Sequence, residues 1–151
     1  MPTNAEILGV LAEAFNARDW DGARELLSDG IRFVDVASGV TTDGPDGFIE
    51  YARGWAGAFS NMKIETLALV ADESHAAGEF LGRGIHDGPL PTPTGAIPAT
   101  GRDFEERFTF FADVAGGKIT GVRDYYNAMS LMVQLGLMPV PARTWSRRAP
   151  A

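Results

Sequence analysis

Two periodicities follow one another along this chain, and their order limits the open folds more than any single residue does. Through residue 59, apart from one alternating run at Ile31 to Asp35, the apolar residues recur at helical spacing; from residue 62 they fall in strand-length runs with short links. Thr3-Asn4-Ala5-Glu6 carries a capping-box pattern just ahead of Ile7, Leu8, Leu11 and Phe15, predicting a first helix that ends near Ala17-Arg18. Asp19 is placed to cap a second, shorter helix from Trp20 to Leu27, with Trp20, Ala23, Leu26 and Leu27 as its inner stripe. A Ser28-Asp29-Gly30 turn leads into a strand, Ile31 to Asp35, whose alternation puts Ile31, Phe33 and Asp35 on one face. Pro45 suits the first turn of a third helix with the stripe Phe48, Ala52, Trp55 and Phe59.

Four strands are predicted next: Met62 to Val70, His75 to His86, Phe104 to Val114, and one opening at Gly117. Asp72-Glu73-Ser74 and Ala115-Gly116-Gly117 are hairpin-length links. The last strand points Val122, Asp124 and Tyr126 one way, Arg123 and Tyr125 the other. It runs into Asn127, the expected N-cap of a short helix over Met129 to Leu135, which Gly136 and Pro139 stop. Helices first and antiparallel strands afterwards is an α+β pattern rather than alternating βαβ. Three helices against one face of a curved sheet would leave a pocket between them. The segment from Asp87 to Thr100, with Pro89, Pro91, Pro93 and Pro98, is long for a hairpin loop, and such loops are usually functional or disordered.

At 151 residues the chain is expected to form one domain and to bury roughly 70% of its unfolded surface without a disulfide or metal staple. It has no Cys, which excludes thiolate nucleophiles and Cys-based zinc sites and fits a cytoplasmic protein. Met1-Pro2-Thr3-Asn4 is not a basic region ahead of an apolar run, so no signal peptide is expected, and no apolar run reaches the ~18 residues of a membrane span. A net charge of −7 argues against nucleic acid and anionic membrane as partners. There is no nucleotide-binding glycine pattern, no His-x-x-x-His pair and no Gly-x-Ser-x-Gly elbow, and two His without Cys argue against a transition-metal site.

Carboxylates facing apolar surface remain as the carriers of chemistry. Asp124, flanked on its face by Val122 and Tyr126, is either a desolvated base with a raised pKa or a surface acid paired with an Arg. Asp35 follows Phe33 on an inward face and is either a polar anchor in the pocket or a turn-capping residue ahead of Ser38-Gly39. His86 could hold a substrate oxygen or bond the loop backbone beside it. Glu106 shares a face with Phe104, Phe108 and Phe110, so it is a buried neutral acid unless that strand's faces are reversed. Phe33, Trp55, Phe59 and Tyr126 read as pocket wall.

The succession Gly84-Ile85-His86-Asp87-Gly88-Pro89-Leu90, Ile97-Pro98-Ala99-Thr100-Gly101-Arg102, Gly117-Lys118-Ile119, Arg123-Asp124-Tyr125-Tyr126-Asn127 and Gln134-Leu135-Gly136-Leu137 resembles the SnoaL-like polyketide cyclases. These belong to the nuclear transport factor 2-like superfamily, and Ala14 through Trp20 with Phe33-Val34-Asp35 fit the start of its fold. The resemblance implies an α+β cone over residues 1–138, three helices packed on a curved, mostly antiparallel sheet around an apolar pocket; the tail over 139–151 reads, from its Pro- and Arg-rich composition, as an arm. In those cyclases an Asp of the last strand is the acid/base for intramolecular aldol closure of a polyketide ester, without metal or cofactor. That Asp matches Asp124, and the family's His before the Gly-rich loop matches His86. Two departures stand out: Asn127 occupies a position where many relatives carry Asp, and Thr109 falls near the cyclases' further pocket His. A ketosteroid-isomerase-like alternative in the same superfamily would use Asp35 as base and place its protonated acid near Glu106. Leu11 stands where that site needs a Tyr.

The leading expectation is a cofactor-free cyclase, isomerase or lyase that removes an acidic C–H proton from an apolar, oxygen-bearing small molecule. Asp124 is its base, His86 helps to hold the enolate oxygen, and Asp35, Leu11, Phe33, Trp55, Phe59, Glu106, Tyr126 and Met129 contact substrate. The alternative from another class is a non-catalytic binder or assembly subunit that uses the same pocket. The 87–100 loop and the arm are expected to pack against a second copy, making a homodimer or higher homo-oligomer.

Overall fold

The structure, a computed structural model, describes residues 1–140. Helix α1 (Asn4–Ala17) begins where the Thr3 N–H donates to Oε2 of Glu6 at 3.0 Å, and it ends at Arg18 in the left-handed region. Helix α2 (Trp20–Glu25) is capped by Asp19, whose Oδ1 accepts from the Gly22 N–H at 2.9 Å. Strand β1 (Leu27–Asp35) takes in the predicted Ser28-Asp29-Gly30 turn, which becomes a register shift between Leu27 and Arg32. A short β2 (Thr41–Asp43), absent from the sequence pattern, leads into α3 (Gly44–Ala58) with Pro45 in its first turn.

Strands β3 (Lys63–Ala71), β4 (His75–Ile85), β7 (Asp103–Ala115) and β8 (Lys118–Tyr126) lie close to the predicted segments. Gly116 and Gly117 both have positive φ in the β7–β8 turn, the conformation a tight hairpin requires and glycine adopts freely. The loop between β4 and β7 contains a hairpin of its own, β5 (Leu90–Thr92) with β6 (Gly95–Ile97). It packs on α3 of the same chain, and Leu90 is buried beside Phe59 and Phe104. Helix α4 (Ala128–Gln134) follows Asn127, whose side chain accepts from the Ser130 N–H at 2.9 Å. The arm expected from Pro139 lies, from residue 141, outside the described residues.

The main sheet has the order β2-β1-β8-β7-β4-β3, with β1 and β8 parallel and the other pairs antiparallel. The helices α1 to α3 pack on one face of it, the expected α+β arrangement. Strand β4 turns Ala76, Gly78, Phe80 and Gly82 inward, and the Phe80 ring lies over Gly78, where a Cβ would come within 2.5 Å of Cζ. Small residues on the sheet's inner face leave room for helix side chains and for a hollow. Ile7, Leu8, Leu11 and Phe15 of α1 fill one side of that space. Each such burial contributes about 1.5–3 kcal/mol. Among the described residues, no helix is long and apolar enough to cross a membrane.

Candidate active site

Parallel pairing of β1 with β8 puts Asp35 and Asp124 in register as neighbours, so both carboxyls emerge on the helix-covered face. Asp35 is 2% exposed and Asp124 is 5% exposed. Strand alternation sends Arg123 to the other face, where its Nη1 pairs with Oδ2 of Asp113 at 3.1 Å. No salt bridge reaches either buried aspartate from the described residues.

What reaches them is phenol. Tyr51, on α3 between Phe48 and Trp55, places Oη 2.8 Å from Oδ2 of Asp35 and 3.2 Å from Oδ2 of Asp124. The Tyr126 hydroxyl donates to Oδ2 of Asp35 at 3.0 Å, and the Ser38 N–H donates to Oδ1 at 2.9 Å. Both oxygens of Asp35 are therefore occupied. Oδ1 of Asp124 is buried with no partner among the described residues. Burial pushes the Asp124 carboxyl up to about 8, the Asp35 charge adds to the rise, and the Tyr51 hydrogen bond partly opposes it. Burial and the same carboxylates also raise both phenols, which stay neutral hydrogen-bond donors across the physiological range.

Asp124 opens onto a cavity of about 90 Å³, walled by Leu11, Trp20, Trp55, Phe108, Phe110 and Leu131 among others. Tyr51, Tyr126 and Glu106 are the further oxygen-bearing side chains that edge it, and among the described residues no Lys, Arg or His lines it. Glu106 faces inward, as its phenylalanine neighbours suggested, and its Oε2 accepts from Gln134 Nε2 at 3.0 Å.

Of the residues expected at the site, Asp124, Leu11, Trp55, Glu106 and Tyr126 line the cavity together. Asp35 lies behind Tyr51 and Tyr126, so it does not face the cavity directly. Phe33 is core, its ring 4.4 Å from that of Tyr51, and it supports the wall from behind. Phe59 likewise stacks under Trp55, with ring centroids 5.8 Å apart. Met129 is 54% exposed, because α4 turns Leu131 inward instead. His86 is fully buried but does not line the cavity: its ring packs on Phe59, and Nδ1 accepts from the Thr100 N–H at 3.2 Å. It clamps the segment after β4 to the segment before β7, which was the blander of its two expected roles. Tyr51 was missed. Its place one turn after Phe48 and one turn before Trp55 was the available signal, but an aromatic on that stripe reads as wall.

A cone of helices on a curved sheet with a polar floor is the ketosteroid isomerase-like, nuclear transport factor 2-like fold, and solved structures bear this out. A protein from Jannaschia sp. CCS1 assigned as a SnoaL-like polyketide cyclase superposes with a TM-score of 0.79 at 18% identity, over 90% of this chain and 93% of its own. AclR from Streptomyces galilaeus, assigned as a hydroxylase, gives 0.76 at 19% identity, over 93% and 85%. A protein of ketosteroid isomerase-like fold from Catenulispora acidiphila, solved with trimethylamine, gives 0.73 at 20% identity, over 90% and 96%. The SnoaL-like polyketide cyclase family model matches residues 5–135, and the chain belongs to that family. No curated protein matches it by sequence.

Proposed function

We propose that this chain is a cofactor-independent acid/base enzyme that closes a ring by intramolecular aldol addition, or carries out a related enolate isomerisation, on an apolar polyketide-like molecule. The observation that carries this is Oδ1 of Asp124: a carboxyl oxygen in an apolar cavity that has no partner, and no cation to hold it ionised, among the described residues. As the carboxylate, that oxygen accepts a proton from carbon next to a carbonyl. The enolate carbon then attacks a second carbonyl of the same molecule, and the proton held on Asp124 passes to the new alkoxide. Atoms and charge balance without a metal or redox partner. Aromatic walls take a flat, largely apolar substrate, and the absence of basic residues from the lining among the described residues disfavours a free carboxylate or phosphate.

Asp35 as the base, the isomerase-like alternative, is less well supported because its oxygens are engaged and set back from the cavity. The test is exchange of deuterium from solvent D₂O into the activated C–H of β-keto esters and related polyketide-like ketones. The full-length protein is expected to catalyse this exchange and Asp124→Asn to lose it. Equal exchange by both would overturn the proposal.

A further inference from the structure

Tyr51 has a single hydroxyl proton and two carboxyl neighbours. At 2.8 Å from Asp35 and 3.2 Å from Asp124, it cannot donate to both. The shorter contact takes the donation, to Oδ2 of Asp35. The longer one then needs a proton from the other side, on Oδ2 of Asp124. That arrangement also meets the like-charge problem of two buried neighbouring carboxylates, which is relieved when the pair holds one proton.

We infer that Tyr51 is a positioning residue that shares one proton between Asp124 and Asp35, making the two aspartates a single acid/base unit bridged by a phenol. This rests on the acid/base role proposed for Asp124. Transfer is balanced: the Oδ2–H bond of Asp124 breaks as a bond to Tyr51 Oη forms, while the Tyr51 O–H bond breaks as a bond to Oδ2 of Asp35 forms. Tyr51 ends neutral, Asp124 becomes the carboxylate, Asp35 becomes the acid, and the pair keeps one negative charge. The proton stays inside the dry cavity, with Asp35 as its second holder behind the wall.

Few other groups could produce the same coupling. Those facing Asp124 are Asp35 from β1, Tyr51 from α3, Tyr126 from its own strand and Glu106 from β7. The parts of α1, α2 and α4 that line the cavity contribute no titratable side chain. Tyr126 bonds Asp35 and makes no hydrogen bond to Asp124. The upward displacement of Asp124 to about 8 places the shared step where it can be followed.

The experiment is a ¹³C NMR titration of the unliganded full chain, following the carboxyl carbons of Asp35 and Asp124 and Cζ of Tyr51. With a shared proton, all three resonances move through one step near pH 8, because coupled sites titrate as a pair. In Tyr51→Phe, which keeps the ring packed on Phe33, the step is confined to Asp124 and moves to higher pH, since the Asp124 carboxylate loses the Tyr51 O–H that the transfer turns toward it. Kinetically, the break in kcat/KM moves with it and kcat falls by roughly tenfold or more, a loss that can be smaller than the ~10² to 10⁴ of the group that itself takes the substrate proton. Asp35 and Tyr51 resonances that stay still through the Asp124 step overturn the proposal from the wild type alone. So does a Tyr51→Phe protein whose break does not move, even if it is slower. If Asp124→Asn is inactive while Tyr51→Phe titrates as wild type, only the sharing is wrong. If Asp124→Asn keeps full turnover, the acid/base role itself is wrong whatever the titration shows.

Discussion

Asp35 and Asp124 stand side by side in register on the parallel strand pair β1–β8, both buried, with the Tyr51 hydroxyl within hydrogen-bond distance of each. The neighbouring charge is one cause of the raised Asp124 pKa, second to burial, and it can be removed without touching the cavity wall. Asp35→Asn is therefore expected to lower the apparent pKa of Asp124. A base must be deprotonated in the free enzyme, so kcat/KM should rise with pH and level off above about 8. In Asp35→Asn the break should come at lower pH. Rate profiles of both proteins check this, and an unmoved break would mean that Asp35 does not act on Asp124.

Stability should carry the same signature. The folded pKa of Asp124, about 8, lies above the unfolded value of 3.8, so its contribution is complete below about 4 and is lost progressively as pH rises to 8. Asp124→Asn has no proton to lose. Urea denaturation should find the variant gaining on wild type between pH 4 and pH 8, by on the order of a few kcal/mol. A constant difference across that range would show Asp124 ionised and paired.

Arg123 provides the control. It points away from the cavity and pairs with Asp113 at 3.1 Å on the half-exposed outer face. Arg123→Ala should cost about 1 kcal/mol or less and leave the break in the rate profile in place. A shift of that break would mean that the outer-face charge reaches Asp124 through the strand.

His86 separates support from chemistry. His86→Ala removes a buried ring packed on Phe59 and the acceptor for the Thr100 N–H, so a loss of about 2–4 kcal/mol is expected. Turnover per folded molecule should stay within about threefold, a barrier change under ~1 kcal/mol. A collapse of kcat with stability intact would restore the oxygen-holding role that its place at the end of a strand suggested.

What the sequence revealed here was local. Alternation alone separated Asp124 from Arg123 and Ile31, Phe33 and Asp35 from their neighbours, and the caps at Asp19 and Asn127 sit where their residue types predicted. Tyr51 and the Asp35–Asp124 pairing were not legible, because they depend on a parallel contact between strands about ninety residues apart and on the rotation of α3 over them. Met129 was misplaced for a related reason: a seven-residue helix offers too few turns for its stripe to fix which face docks. The β5–β6 hairpin was hidden by the prolines around it, since Pro91 in a strand is tolerated only at an edge.

The most direct test of the central claim is the rate of the chemical step in Asp124→Asn, measured in single turnover beside the affinity for the same substrate. Asn keeps the shape and hydrogen bonding of the side chain but accepts no proton, so binding is expected to hold within a few-fold while the step slows by about 10² to 10⁴. A variant that binds and turns over as wild type does would contradict the account.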